Sequence, residues 1–375
     1  MKCEKKEYPV LSLGNFSNMK YGKMPKKDMV KENGKYPVFS GYRIVGYCDE
    51  CNLDEQQLIV IARGVGGTGD VKLSPGACYL TNLSIAVMID ENIALKQYLF
   101  YYFQKHNLRY LDSGSAQSQI TIADLKNIVL PIPPLKIQYK IVEILSSLDK
   151  KIELNNKINE NLQQQAFSLF RKYFIDIENV PEGWSKGSLL DIADYLNGLA
   201  MQKYRPSEDE IGFPVLKIKE LRQGSCDVTS ELCSPSIKQE YIVHNGDVIF
   251  SWSGSLLVDL WCGGTCGLNQ HLFKVTSKTY DKWFYYLWTL YHLEQFIAIA
   301  ADKATTMGHI KRAELSKAEV IIPSGEDYRK ISAIMEPIID LIIANRIESR
   351  KLATLRDTLL PKLMSGEIDV EDVNI

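Results

Sequence analysis

The most regular pattern in the chain is a run of mostly apolar residues spaced alternately four and three apart. Ile141, Leu145, Leu148, Ile152, Asn155, Asn159, Leu162, Ala166, Leu169 and Tyr173 follow it. So do Ile331, Met335, Ile338, Ile342, Asn345, Ser349, Leu352, Arg356, Leu359 and Leu363. Such spacing is the a/d seam of a heptad helix. Each run follows a proline (Pro133-Pro134; Pro323), a residue that suits a helix start and disfavours its interior. The first helix is expected to end before Pro181-Glu-Gly183, the second near Pro361 or at Ser365-Gly366. Pro337 is expected to kink the second helix or delay its start. Two single-stripe helices in one chain can satisfy each other as an antiparallel coiled coil; the alternative is that each docks on its own globular part. Asn155 and Asn345 share one seam position, where a buried Asn fixes register.

The two helical segments are copies. Ile120, Ala123, Leu125, Ile132, Pro133, Lys140, Ile141, Ile144, Ile152, Asn155, Leu162, Leu169 and Lys172 recur in register and without a gap. Their counterparts are Ile310, Ala313, Leu315, Ile322, Pro323, Lys330, Ile331, Ile334, Ile342, Asn345, Leu352, Leu359 and Lys362. Helical periodicity explains the aligned Ile and Leu but not the aligned Pro and Asn, so the chain contains an internal duplication. Ahead of each helix lie short β-rich runs (Gln57–Ala62, Tyr79–Met88, Gly246–Trp252, His271–Thr276), broken by turn residues. Each set closes with an aromatic, helical stretch, Gln97–Gln104 or Lys282–Tyr291. The expected fold class is α/β in the α+β sense: a mixed domain over 1–133, a helix over 134–180, a second mixed domain over 181–322 and a second helix over 323–375. The helices are alike and the domains are not, which suggests a constant scaffold carrying two different readers.

Composition narrows this picture. The chain has 375 residues, 45% hydrophobic and 24% charged, enough for two or three well-packed domains. The N-terminus has no apolar stretch of signal-peptide length, and no segment is apolar enough to span a membrane, so a cytoplasmic protein is expected. Eight cysteines in such a chain read as thiols and not as a disulfide framework. The formal net charge is −2, so any basic, nucleic-acid-binding surface must be local. Gly64-Val-Gly-Gly-Thr-Gly69 matches G-x-G-x-x-G, but Asp70–Gly76 reads as strand and turn where a dinucleotide site needs a helix. Cys48-Asp-Glu-Cys51 and Cys262–Cys266 are paired thiols without the further spacing a zinc site requires. No catalytic or metal site is expected.

Several segments carry a family resemblance. Ile132-Pro-Pro-Leu-Lys-Ile-Gln138 resembles the start of the conserved helices of type I restriction-modification specificity subunits. Phe170–Asp176 followed by Pro181-Glu-Gly-Trp184 is similar to their junction into a second recognition domain. Asn245–Ser251 with Gly254 and Leu268-Asn-Gln270 resembles the pattern of those domains, and Leu355–Ile368 resembles their C-terminal signature. Two departures stand out: Pro323-Ser-Gly-Glu-Asp replaces the second Pro-Pro-Leu, and Lys136 stands where Glu is common. The resemblance implies a non-catalytic subunit whose two target-recognition domains each read half of a bipartite site on double-stranded DNA. The helices would set the half-site separation, roughly 34–36 Å for readers on one face. They would also dock two methyltransferase subunits that carry S-adenosylmethionine and flip an adenine. Restriction/translocase subunits would join; the chain itself would hold no cofactor.

DNA contacts favour Lys, Arg, Ser, Thr, Asn, Gln and Gly-rich backbone. In the first domain the candidates are Lys35, Arg43, Arg63, Ser113, Ser115, Gln117 and Gln119. In the second they are Lys217, Lys219, Arg222, Ser251, Ser253, Gln270, His271, Lys303, Thr305, Thr306, His309 and Lys311. Two other readings remain open: the specificity subunit of a related type II system, and a coiled-coil adaptor that binds proteins instead of DNA.

Overall fold

A computed structural model describes residues 8–64, 67–112, 119–302 and 310–370. The chain forms two compact units, residues 1–150 with 353–375, and residues 151–352.

The first unit is built on an antiparallel sheet. Strands β1 (Ser17–Tyr21), β2 (Leu58–Ile61), β3 (Val71–Leu73) and β4 (Ser84–Ile89) lie in the order β1-β4-β2-β3. β2 is buried along its whole length, which explains why Leu58–Ile61 reads as an unbroken apolar run. A smaller sheet centres on Tyr36–Phe39, antiparallel to Ile44–Cys48 and parallel to Tyr79–Leu80. The sequence suggests one strand over Tyr79–Met88; the chain instead turns at Thr81–Leu83 and divides that run between two sheets. Helix Lys96–Lys105 packs Tyr98, Leu99, Tyr101 and Phe103 into the core.

The second unit repeats this plan on different residues. Strands β5 (Asp194–Asn197), β6 (Val248–Ser251), β7 (Leu257–Leu260) and β8 (Leu272–Thr276) lie in the order β5-β8-β6-β7. Phe213–Leu216 again runs parallel to a short strand, Cys266–Leu268. Helix Lys282–Tyr291 is buried from Trp283 to Thr289. Even the small closing ribbons correspond: Val10–Ser12 with Val129–Pro131, and Ser185–Ser188 with Glu319–Ile322. The duplication visible in the helices therefore extends through both globular parts, where sequence similarity has been lost.

The long helices span Leu135–Phe170, followed by a wider turn at Arg171–Ile175, and Gly325–Met364. The second starts well before Pro337 and runs past Pro361 to Met364. Pro337 therefore does not delay it, and its missing donor is accommodated inside the helix. The helices pair antiparallel within each unit. In the second unit, Asn155 Nδ2 donates to Glu348 Oε2 at 2.7 Å, and Asn345 Nδ2 to Asn159 Oδ1 at 3.0 Å. In the first, Arg356 Nη1 donates to Asp149 Oδ1 at 2.7 Å, and the Tyr101 hydroxyl donates to Asp149 Oδ2 at 2.7 Å.

Pairing is only part of what the helices do. Ile141, Leu145, Asn155, Ile331, Met335 and Ile342 are buried; Leu148, Ile152, Leu162, Ile338, Asn345 and Leu352 are half-buried. Phe170, Phe174, Ile339 and Ile343 lie off the seam and are buried as well, because both helices also pack on the globular part of the second unit. Phe174 meets Trp184, Trp283, Phe284 and Trp288 with ring centroids 5.6–6.1 Å apart.

The first turns of each long helix are tied into its unit by one side chain. Gln138 is fully buried. Its Oε1 accepts from Leu95 N at 2.8 Å, and its Nε2 donates to the carbonyls of Pro133 (2.7 Å) and Ile93 (3.1 Å). Leu95 caps helix Lys96–Lys105, so Gln138 satisfies an amide left free at that helix start. In the second unit the Tyr328 hydroxyl does this for Asp281 N at 2.6 Å and donates to Asp281 Oδ2 at 3.0 Å. Burial raises the Tyr328 hydroxyl above its ordinary titration range, which keeps the proton for that bond. Replacing Gln138 with Leu keeps the volume and strips three backbone groups of partners. It should lower stability by about 1–3 kcal/mol, read as an earlier urea midpoint with an unchanged slope.

Candidate nucleic-acid interface

Both units turn the chain at one corner, where five segments meet on the same set of backbone hydrogen bonds. In the first unit, Gly22 N donates to Ser84 O (3.0 Å), Lys23 N to Leu80 O (2.9 Å) and Thr81 N to Phe39 O (3.0 Å). Ala62 N donates to Leu83 O (2.9 Å) and Ile120 N to Ala62 O (3.0 Å). In the second unit, Gly198 N donates to Leu272 O (3.0 Å), Leu199 N to Leu268 O (2.9 Å) and Asn269 N to Leu216 O (3.2 Å). Trp252 N donates to His271 O (3.4 Å) and Ile310 N to Trp252 O (3.0 Å). The glycines are needed for space. A Cβ on Gly22 would lie 2.0 Å from Thr81 O, and one on Gly198 would lie 2.3 Å from Asn269 O.

On this common frame the side chains differ. In the first unit Arg63 is exposed and bridges to Gln119 across an isolated antiparallel contact. The Tyr42 hydroxyl donates to Arg63 O at 3.3 Å. A Cβ on Gly64 would come within 2.6 Å of that hydroxyl, and one on Gly67 within 2.4 Å of the Tyr42 ring. Lys72 Nζ donates to Tyr42 O at 3.3 Å. The G-x-G-x-x-G segment therefore seats an aromatic ring and leads from β2 into β3, with a strand where a dinucleotide fold has its helix.

In the second unit Trp252 Nε1 donates to Asn197 Oδ1 at 2.9 Å, and Ser253 Oγ lies 3.0 Å from His271 Nδ1. Asn269 Nδ2 donates to Gln270 Oε1 at 2.9 Å, while Asn269 Oδ1 accepts from His271 N at 3.2 Å. Gln270 and His271 are half-buried, and the His271 ring lies 6.1 Å from that of Trp252.

The sequence candidates divide accordingly. Arg63 and Gln119 meet, and Arg43 adjoins them through Tyr42. Lys35 stands at the far end of strand Tyr36–Phe39, its ammonium 5.0 Å from the Tyr36 ring centre. Gln270, His271 and Ser253 form one cluster, but Ser251 and Ser253 are buried, and the Ser251 hydroxyl serves the turn by donating to Ser253 O. Lys217, Lys219 and Arg222 lie at a short helix, Ile218–Gln223. Lys217 pairs with Glu231, and Lys219 lies 3.6 Å from Asp227, so their charges are partly neutralised. Lys311 is exposed directly after Ile310. Ser113, Ser115, Gln117, Lys303, Thr305, Thr306 and His309 lie outside the described residues. Sequence reasoning missed Tyr42, Trp252 and Asn197 as individual site residues, because their roles arise only when distant segments meet. Among the described residues no three His, Cys, Asp or Glu side chains group as metal ligands. Nor, among them, is any helix long and apolar enough to cross a membrane.

One frame built twice, with unlike polar tips, describes a two-headed binding scaffold. The family described as the type I restriction modification DNA specificity domain matches residues 5–164 and again 181–354. The chain belongs to that family. It is 26% identical over 319 residues to the type I restriction enzyme MjaIX specificity subunit of Methanocaldococcus jannaschii, covering 78% of this chain and 74% of that one. It is 23% identical over 372 residues to the putative type I specificity subunit S.MpnORF638P of Mycoplasma pneumoniae, covering 94% of each. The fold is that of the type I restriction-modification S subunit from M. genitalium, with a TM-score of 0.63, 18% identity, and coverage of 97% of this chain and 98% of that one.

The Gly198→Ala variant should lose about 1–3 kcal/mol through overpacking against Asn269. Amide exchange should rise first at Leu199 and Asn269; unchanged protection there would mean that the corner does not depend on this glycine.

Proposed function

We propose that the chain is the DNA-reading specificity subunit of a type I restriction-modification complex acting in the cytoplasm. Residues 1–133 and 181–322 act as its two target-recognition domains, and each reads one half of a bipartite site on double-stranded DNA. The observation that carries this reading is the repeated corner. An identical backbone frame presents Arg63, Gln119 and neighbouring cations in one unit, and Gln270, His271 and Trp252 in the other. Two equal mounts with different tips suit an asymmetric, two-part target.

The long helices, 134–180 and 323–375, set the separation of the half-sites and dock the partners. Tyr139, Leu154, Ile158, Ile334, Leu341 and Leu355 are exposed on them, the kind of apolar surface that partner subunits cover. Those partners are two methyltransferase subunits, which carry S-adenosylmethionine and flip the target adenine, and restriction/translocase subunits. The chain contributes affinity and sequence choice and performs no chemistry.

A net charge of −2 makes the DNA contact local, yet it still displaces counterions. Affinity of the assembled methyltransferase for its site should fall at least about 100-fold between 50 and 200 mM salt, measured by equilibrium titration. A flat salt dependence would contradict DNA binding and favour a protein-binding adaptor.

A further inference from the structure

We propose that Arg63 reads a guanine in the half-site taken by the first unit, from a position that in the second unit holds a buried serine. This rests on the DNA-reading function above. Arg63 follows β2 on the backbone frame that both units share. Its root is held on several sides: its amide donates to Leu83 O at 3.1 Å, its carbonyl accepts from Tyr42, and Gln119 bridges to it. Of the nearby cations, Lys72 is on Tyr42 O and Arg109 on Asp70 at 3.0 Å, while Arg43 is exposed beside Tyr42 and lacks this bracing of its root. The Arg63 guanidinium is exposed and has no hydrogen bond or ion pair among the described residues. A fixed root with a free guanidinium fork suits bidentate contact with guanine O6 and N7, the commonest specific base contact.

At the same place in the second unit stands Ser253, 2% exposed, with its hydroxyl turned to His271. Lys311 and Arg312, which follow Ile310 at this corner, are exposed, but they leave it from a different segment. Gln270 and His271 there are half-buried, and their side chains bond to Asn269, to Ser253 and to each other. The two halves of the DNA target should therefore differ in chemistry where Arg63 and Ser253 face them, with a guanidinium-read guanine opposite Arg63.

The test uses the full chain co-purified with the methyltransferase subunits of its own genome. Methyl transfer is measured on duplexes that carry the bipartite motif and every single-base change within it. With the wild-type complex, one half-site should contain a guanine whose replacement slows methylation about tenfold or more. The Arg63→Ala and Arg63→Gln complexes should be slow on the intact motif, indifferent to that base, and fully discriminating in the other half. Arg63 is exposed, so both variants should melt with the wild type. The proposal is overturned if both variants keep discrimination at every position. It is equally overturned if they slow methylation on all duplexes alike with a shallower salt dependence, the mark of a phosphate contact. A wild-type complex that methylates no bipartite motif would instead sink the functional reading on which the proposal rests.

Discussion

Both units depend on the place where a long helix begins, because there one or two buried polar side chains tie the helix to the start of the preceding aromatic helix. Gln138 accepts from the amide that starts helix Lys96–Lys105 and donates to two carbonyls of the chain around it. Tyr328 and Ser332 rebuild the junction around Asp281, with Trp283 donating to Ser332 at 2.7 Å. These are buried polar groups, costly if unpaired and directional when paired. They fix how the helix leaves the globular part, which apolar packing alone would leave less specific. The departure at Pro323-Ser-Gly-Glu-Asp is therefore a substitution of one solution for another: a tyrosine hydroxyl does the work of a glutamine amide.

From that junction onward, structure and function separate cleanly. The frame at each corner is set by backbone hydrogen bonds and by glycines with no room for a Cβ, so the side chains at the tips differ between the units while the frame stays the same. Arg63 and Ser253 occupy the same mount with opposite exposure and chemistry. The polar layer within the helix pair has a different task. Asn155 and Asn159 are buried and bonded to Glu348, Ser349, Ile342 and Asn345. Such a layer favours one register over its neighbours, which is what a scaffold that sets a distance requires.

The long helices are legible in the sequence because a 3.5-residue period sustained over ten positions is a pattern that strands and loops do not produce. The period does not disclose that Phe170, Phe174, Ile339 and Ile343 are buried beside the seam, since that depends on a globular part packed against a second helix face. The duplication is legible where helices constrain side chains and illegible in the domains, where the same strand order is met by different apolar residues. The candidate interface is only partly legible. Arg63, Gln119, Gln270 and His271 fall at the two corners, but Ser251 and Ser253 share their chemistry and are buried. Gly22 and Gly198 carry no local signal, because the carbonyls that exclude a side chain come from strands far along the chain.

The most direct test is adenine methylation across the host genome, read with the gene intact and with it deleted alongside re-expression of the methyltransferase subunits. If this chain chooses the DNA site, one asymmetric bipartite motif is methylated on both halves with the gene intact. That motif should disappear on deletion while the methyltransferase remains present. Persistence of the motif, or the absence of any bipartite methylation when both proteins are expressed, would contradict the claim that this chain makes the choice.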